Sequence, residues 1–164
     1  MSTDYYAQEN LVNARKSGKY SEVMASLKKC PFCDLKSKYF VLEKSKVVLT
    51  VNLFPYIDGH MLIIPKRHIE TFGDITALEW KQINELVSVA EKVLKERFNI
   101  PGYNFLYRQG NISGSSLGHV HFHIIPTPKI ILVPEYQQIN VTPLDLAEQL
   151  RNLCNNTTQK RKKN

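Results

Sequence analysis

At 164 residues, 43% hydrophobic and 23% charged, with 7 glycines and 8 prolines, the chain has the size and composition of one ordinary folded domain and not of a disordered or fibrous protein. No apolar run approaches the ~18 residues of a membrane span and the first ten residues lack the basic and apolar regions of a signal peptide, so the expected location is intracellular, cytoplasmic or, in a nucleated cell, nuclear. The net charge of +7 owes four units to Lys160, Arg161, Lys162 and Lys163, which leaves +3 for the remainder: the domain is only mildly basic, and nucleic acid is not its expected partner.

In chain order, residues 1–29 read as a lead-in with weak helical character around 20–27, ending at the turn Cys30-Pro31-Phe32-Cys33. Two strands follow, around 39–43 and 47–52, the second rich in the β-branched residues that strands favour. Pro55 and Asp58-Gly59 mark a turn, after which His60-Met61-Leu62-Ile63-Ile64-Pro65 is apolar enough for a central strand. The spacing predicts a helix over 75–98: Thr76 and Glu79 form a capping-box pair, and Trp80, Ile83, Leu86, Val87, Ala90, Val93 and Leu94 recur at helical spacing before Pro101-Gly102 closes it. A fourth strand over 103–108 leads through the glycine- and serine-rich run 110–118 into a fifth, 119–125, stopped by Pro126. Thr142-Pro143 opens a last helix through about Cys154, which reads as an apolar-face residue. These elements amount to an α+β fold, a five-stranded antiparallel sheet with a long helix packed on one face and N- and C-terminal helical extensions. The expected domain is 30–155, and the basic end 156–164 reads as a disordered tail.

The fifth strand carries His119-Val120-His121-Phe122-His123-Ile124-Ile125. Side chains alternate along a strand, so the three imidazoles share one face with neighbours about 7 Å apart, and a polar row of that kind is not expected in a core. Imidazole titrates near neutrality and can serve as nucleophile, base, phosphate ligand or metal ligand. Beside a loop with many backbone N–H donors, the row points to a site where an anion, a phosphate above all, is held and attacked. If His121 attacks phosphorus through one ring nitrogen, the other must donate its proton to a fixed acceptor, usually a carbonyl. His123, Ser115, Ser116 and the loop amides would then hold the phosphate oxygens. The bland alternative is a surface strand with incidental metal affinity.

Cys30 and Cys33 have the spacing that lets two thiolates grip one zinc, but a closed site needs two further ligands. A redox pair and two simply packed thiols are the other readings, the former lacking a βαβ context.

The His-φ-His-φ-His-φ-φ pattern, with φ apolar, is matched at every position of 119–125 and resembles the signature of the histidine-triad (HIT) nucleotide-binding family. Asn52, Gly59-His60 and Pro65-Lys66-Arg67-His68-Ile69 resemble that family's upstream strand pair, and the likeness covers about 30–126. It implies a HIT-like fold, a homodimer, and substrates with a group on a nucleotide's α-phosphate: dinucleoside polyphosphates, adenylylated compounds or phosphoramidates. It also implies a nucleotidyl intermediate on His121, phosphate support from His123 and His60, and Asn52, Leu53 and Phe54 toward ribose and base, with no metal in the chemistry. Arg108 and Gln109 would by the same likeness contact the nucleotide, with Arg108 standing where the family's hydrolases tend to have Asn or Gln. In zinc-containing relatives of this kind the ligand set is completed as His68 and His119 would complete it here. Ser115 stands where most hydrolases of the family carry glutamine and resembles the branch that cleaves dinucleoside tetraphosphates with orthophosphate, whereas Thr127-Pro128 departs from that branch. Two rivals stay open: a nucleotide-binding protein with vestigial activity, and a DNA-end deadenylylating enzyme.

Overall fold

The structure is a computed structural model and describes residues 11, 14–100, 102–110 and 117–127, all within the unit Met1–Ile130. The expected last helix, Cys154 and the basic tail lie outside the described residues, as do Ser115 and Ser116. Five strands, β1 (Phe40–Glu43), β2 (Val47–Val51), β3 (Met61–Pro65), β4 (Tyr103–Tyr107) and β5 (Phe122–Pro126), form one antiparallel sheet in the order β1-β2-β3-β5-β4. The apolar run expected to be central is central: every residue of β3 is buried.

One face of the sheet receives α2 (Ala77–Phe98). Val47, Leu49, Met61, Ile63, Phe122 and Ile124 pack there against Ile83, Leu86, Ala90 and Leu94, a core whose members come from alternate strand positions and from one helical stripe. The capping box forms as the sequence predicts, with the Thr76 hydroxyl accepting from the Glu79 N–H and Asn99 closing the helix in the left-handed region at φ 53°. Glu79 is itself buried, because Arg67 reaches it with two hydrogen bonds of 2.7 and 2.8 Å and holds its carboxyl down to about 2. Trp80, expected in the core stripe, is 38% exposed and instead rims it beside Phe72 and Phe122.

The opposite face is covered too. Two 3-10 turns, Pro31–Asp34 and Ser37–Tyr39, bring Phe32 and Leu35 over Val48, Leu62 and Ile64. The short helix α1 (Lys19–Ser26) sets Val23, with Ala14, against Phe54 in a small satellite cluster. Gly59 turns the chain into β3 at φ 83°, where a Cβ would stand 3.2 Å from Pro126 and 3.3 Å from Leu94, so that position needs glycine on both counts.

The histidine strand is shorter than its pattern: it begins at Phe122, with His119 to His121 leading into it. Continuing the register of Met61 with Ile124 would set Pro65 opposite Val120, and proline has no N–H for that rung. The Val120 N–H bonds the Ile69 carbonyl at 2.8 Å instead, and the His119 ring bonds the Pro65 carbonyl.

Candidate functional site

β3 and β5 run side by side with Leu62 opposite His123, which puts His123 on the face away from α2. All three triad imidazoles lie on that side, yet none is an exposed polar row: His119 is 0% and His121 and His123 are each 7% exposed. The expectation that such a row stays out of a core is corrected by the second layer, the 30–39 turns and Tyr56, which closes over it. Phe32 stands edge-on to His121 with ring centroids 4.9 Å apart, and Tyr56 stacks on His60 at 5.1 Å.

Obligate backbone donors and acceptors fix the ring tautomers. The His121 Nδ1–H donates to the His119 carbonyl at 2.8 Å, which leaves the Nε2 lone pair unprotonated. The Tyr56 N–H donates to His60 Nδ1 at 3.2 Å, so the His60 proton sits on Nε2 and is donated to His123 Nδ1 at 3.0 Å. That in turn places the His123 proton on its Nε2. One ring of the cleft therefore offers a lone pair and its neighbour, 4.9 Å away between centroids, offers an N–H.

Both rings line a cleft that opens to solvent. Its lining is largely apolar and aromatic (Tyr20, Met24, Phe32, Leu53, Phe54), with two guanidinium groups, Arg15 and Arg108, set into it. Burial, aided by the charges of Arg15 and Arg108, lowers His60 to about 4; burial, then the facing His121 and His60, lowers His123 to about 3. Burial lowers His121 as well. The site at neutral pH is built from neutral imidazoles.

Stability should follow. Unfolded histidines protonate near 6.5 and the folded His60 and His123 do not, so stability is full above that pH and falls as pH drops toward 4. Urea midpoints at pH 7 and 5 measure the slope, and His60→Asn should flatten it; equal slopes in both proteins would contradict the assignment.

The remaining predicted residues fall as follows. Asn52, Leu53, Phe54 and Arg108 line the cleft. Asn52 also works as a brace, its Oδ1 accepting from the Phe54 N–H at 2.9 Å and its Nδ2 lying 3.2 Å from the His60 ring nitrogens. His60 stands behind His123 and does not line the cleft, so it acts on the site through His123. Gln109 does not line it either: its side chain accepts from the Tyr107 hydroxyl at 2.8 Å. Sequence reasoning missed Arg15, Tyr20, Met24, Phe32 and Tyr56. Phe32 sat in view inside the cysteine turn; the others belong to a lead-in and a turn whose lack of periodicity gave no signal.

The four predicted metal ligands converge. Donor atoms of Cys30, Cys33, His68 and His119 all lie within 4.8 Å of one another, with Sγ···Nδ1 separations of 3.4 Å (Cys30–His119), 3.2 Å (Cys33–His68) and 3.7 Å (Cys33–His119). A tetrahedral metal with thiolate and imidazole ligands needs edges of about 3.3–3.8 Å. The outer nitrogens are also engaged, His119 Nε2–H donating to the Pro65 carbonyl at 2.9 Å and His68 Nε2 facing Glu70 Oε1 at 3.3 Å, the supports that orient ligating imidazoles. These residues could hold a metal ion.

A five-stranded antiparallel sheet with a long helix on one face and a histidine row beside an open cleft on the other defines the histidine-triad class of proteins. The chain belongs to the HIT family: residues 35–130 match the sequence model of the HIT domain. It is similar to bis(5'-adenosyl)-triphosphatase of Dictyostelium discoideum, 37% identical over 56% of this chain and 60% of the relative, and to adenosine 5'-monophosphoramidase of Candida albicans, 34% identical over 63% of this chain and 73% of the relative. The chain thus spans less than two thirds of the first of these. The crystal structure of a HIT family member from Bacillus subtilis superposes with a TM-score of 0.67 at 28% identity, covering 78% of this chain and 96% of that one. Among the described residues no helix is long and apolar enough to cross a membrane.

Proposed function

We propose that the protein is a nucleotidyl hydrolase or transferase that cleaves at the α-phosphate of dinucleoside polyphosphates or nucleoside phosphoramidates through a covalent intermediate on His121. The observation that carries this reading is the His121 ring itself, with Nδ1–H tied to the His119 carbonyl and Nε2 bare at the cleft. His121 Nε2 forms a bond to the α-phosphorus as the bond to the leaving group breaks, the electron pair leaving with that group. His123 Nε2–H donates to a phosphate oxygen as charge builds there. Water or orthophosphate then attacks the same phosphorus, the N–P bond breaks, and the nucleotide leaves with His121 neutral again. The aromatic and apolar wall of the cleft suits a base, and the names of the relatives, a triphosphatase and a phosphoramidase, agree in acting on adenine nucleotides.

Incubation with diadenosine tetraphosphate, with and without orthophosphate, tests the reading. Asymmetric hydrolysis gives ATP and AMP, phosphorolysis gives ATP and ADP, and failure to turn over either this substrate or a phosphoramidate contradicts it. The metal that fits two thiolates and two imidazoles is zinc, held by Cys30, Cys33, His68 and His119 in a structural role. When bound it would tie the 30–33 turn to the sheet and supply no step of the reaction.

A homodimer is part of the same reading. Among the described residues β4 is an edge strand, and Phe105, Phe72 and Trp80 stand 38–42% exposed near it, an aromatic patch beside that edge. A second copy related by a two-fold axis would cover both at once. A solution mass of one chain contradicts it.

A further inference from the structure

We propose that Arg15 and Arg108 form a paired guanidinium site for the distal phosphates of the leaving group, and so select substrates that release a polyanion over substrates that release an amine. The proposal rests on the nucleotidyl-transfer reading above and names which half of its substrate range the chain favours.

The two arginines are 93 positions apart, one in the lead-in before α1 and the other directly after β4, yet both line the cleft that holds His121 and His123. Both are fastened to Tyr56. The Arg15 guanidinium lies 4.0 Å from the ring centroids of Tyr20 and of Tyr56, held between them, and its Nε donates to the Phe54 carbonyl at 2.7 Å. Arg108 Nη1 donates to the Tyr56 hydroxyl at 3.0 Å. Tyr56 in turn stacks on His60, which bonds His123, so the cations are indexed to the triad through rigid aromatic contacts.

Neither guanidinium meets a carboxylate among the described residues, although Arg67, Lys19, Lys36, Lys44 and Lys66 all do. With no carboxylate beside either among the described residues, an anion within reach of both cations is attracted by each. The histidines do not supply positive charge here, since the same guanidinium charges help to keep His60 and His123 neutral. The cationic part of the site is therefore the arginine pair, and planar guanidinium is the group that binds phosphate in two-point fashion.

The consequence is asymmetric between leaving groups. When His121 Nε2 bonds the α-phosphorus of a dinucleoside polyphosphate, the bridging P–O bond breaks and its electron pair stays on a departing nucleoside polyphosphate, whose growing charge the guanidiniums stabilise. With a phosphoramidate the P–N bond breaks, the nitrogen takes up a proton, and the amine that leaves has no negative charge for them to hold.

The test uses the full chain with Arg15→Gln, Arg108→Gln and the double substitution, and reads kcat/KM on diadenosine tetraphosphate and on adenosine 5'-phosphoramidate. Glutamine keeps much of the stem on Tyr56, and the Arg108→Lys form, which restores charge without the fork, serves as the conservative control. The ratio of polyphosphate to phosphoramidate kcat/KM should drop about tenfold to a hundredfold in each single variant, the loss of one charged hydrogen-bonding group. Lysine should recover part of it, and the polyphosphate KM should rise less steeply with salt in the variants than in the wild type. An unchanged ratio, with the two substrates falling in parallel or not at all, overturns the arginine site and leaves the transfer reading standing. A wild-type chain that prefers the phosphoramidate does the same. Turnover of neither substrate by the wild type overturns the transfer reading, and the arginine site with it.

Discussion

Replacing His121 by asparagine is expected to lower kcat/KM for a dinucleoside polyphosphate by about 10⁴-fold or more, with nucleotide binding and the fold retained. Loss of a covalent nucleophile costs rates on that scale because no other group supplies the bond it makes. Here the expectation is sharpened by geometry. His123 Nε2 carries a proton and His60 Nε2 donates to His123, while the His119 ring bonds the Pro65 carbonyl and faces the cysteines, so no second bare imidazole nitrogen faces the cleft. Asparagine keeps a polar group near the His119 carbonyl and avoids a large void beside Phe32. Steady-state kinetics together with titration of a non-hydrolysable nucleotide separate chemistry from binding. A variant within tenfold of the wild type would mean that His121 is not the nucleophile.

The second large effect is expected at the four residues proposed to hold zinc. Cys33→Ser, or a strong chelator acting on the wild type, should abolish stoichiometric zinc and lower the free energy of unfolding by about 3–5 kcal/mol or more, since binding energy at such a site is folding energy. The Cys30-to-Cys33 turn carries Phe32 over His121, and His119 offers its ring to the cysteines while its carbonyl anchors His121. Loss of the metal should therefore also reduce turnover, roughly tenfold to a hundredfold, although none of the four residues lines the cleft. Metal analysis and urea unfolding check the first part, and kinetics on the same samples the second. A chain that carries no zinc and unfolds identically with serine at position 33 contradicts the assignment.

Much of this arrangement could be read from residues in order. The apolar run 60–65 marks a central strand, Thr76 and Glu79 mark the start of α2, and the alternation over 119–125 sets Val120, Phe122 and Ile124 on the helix-packed core face. Four metal ligands from three separate segments were named from spacing and family likeness, and the structure brings their donors together. What stayed hidden is what depends on long-range contact. Nothing local says that Arg67 buries Glu79, or that the missing N–H of Pro65 shortens β5. The burial of the histidine row comes from a second layer donated by the lead-in and the 30–39 turns, segments without periodicity. For the same reason Arg15 and Tyr56, which no motif marks, stand in the cleft beside the residues that motifs did mark.

A covalent bond between His121 Nε2 and the α-phosphorus of a nucleotide underlies the proposed reaction. It is tested most directly by mixing enzyme and diadenosine tetraphosphate, quenching under alkaline conditions that preserve phosphoramidates, and mapping the digested protein by mass spectrometry. An adduct of one nucleoside monophosphate is expected on the peptide containing His121, formed and lost at rates consistent with turnover and absent from His121→Asn. Product formation with no adduct, or an adduct on another residue, would contradict it.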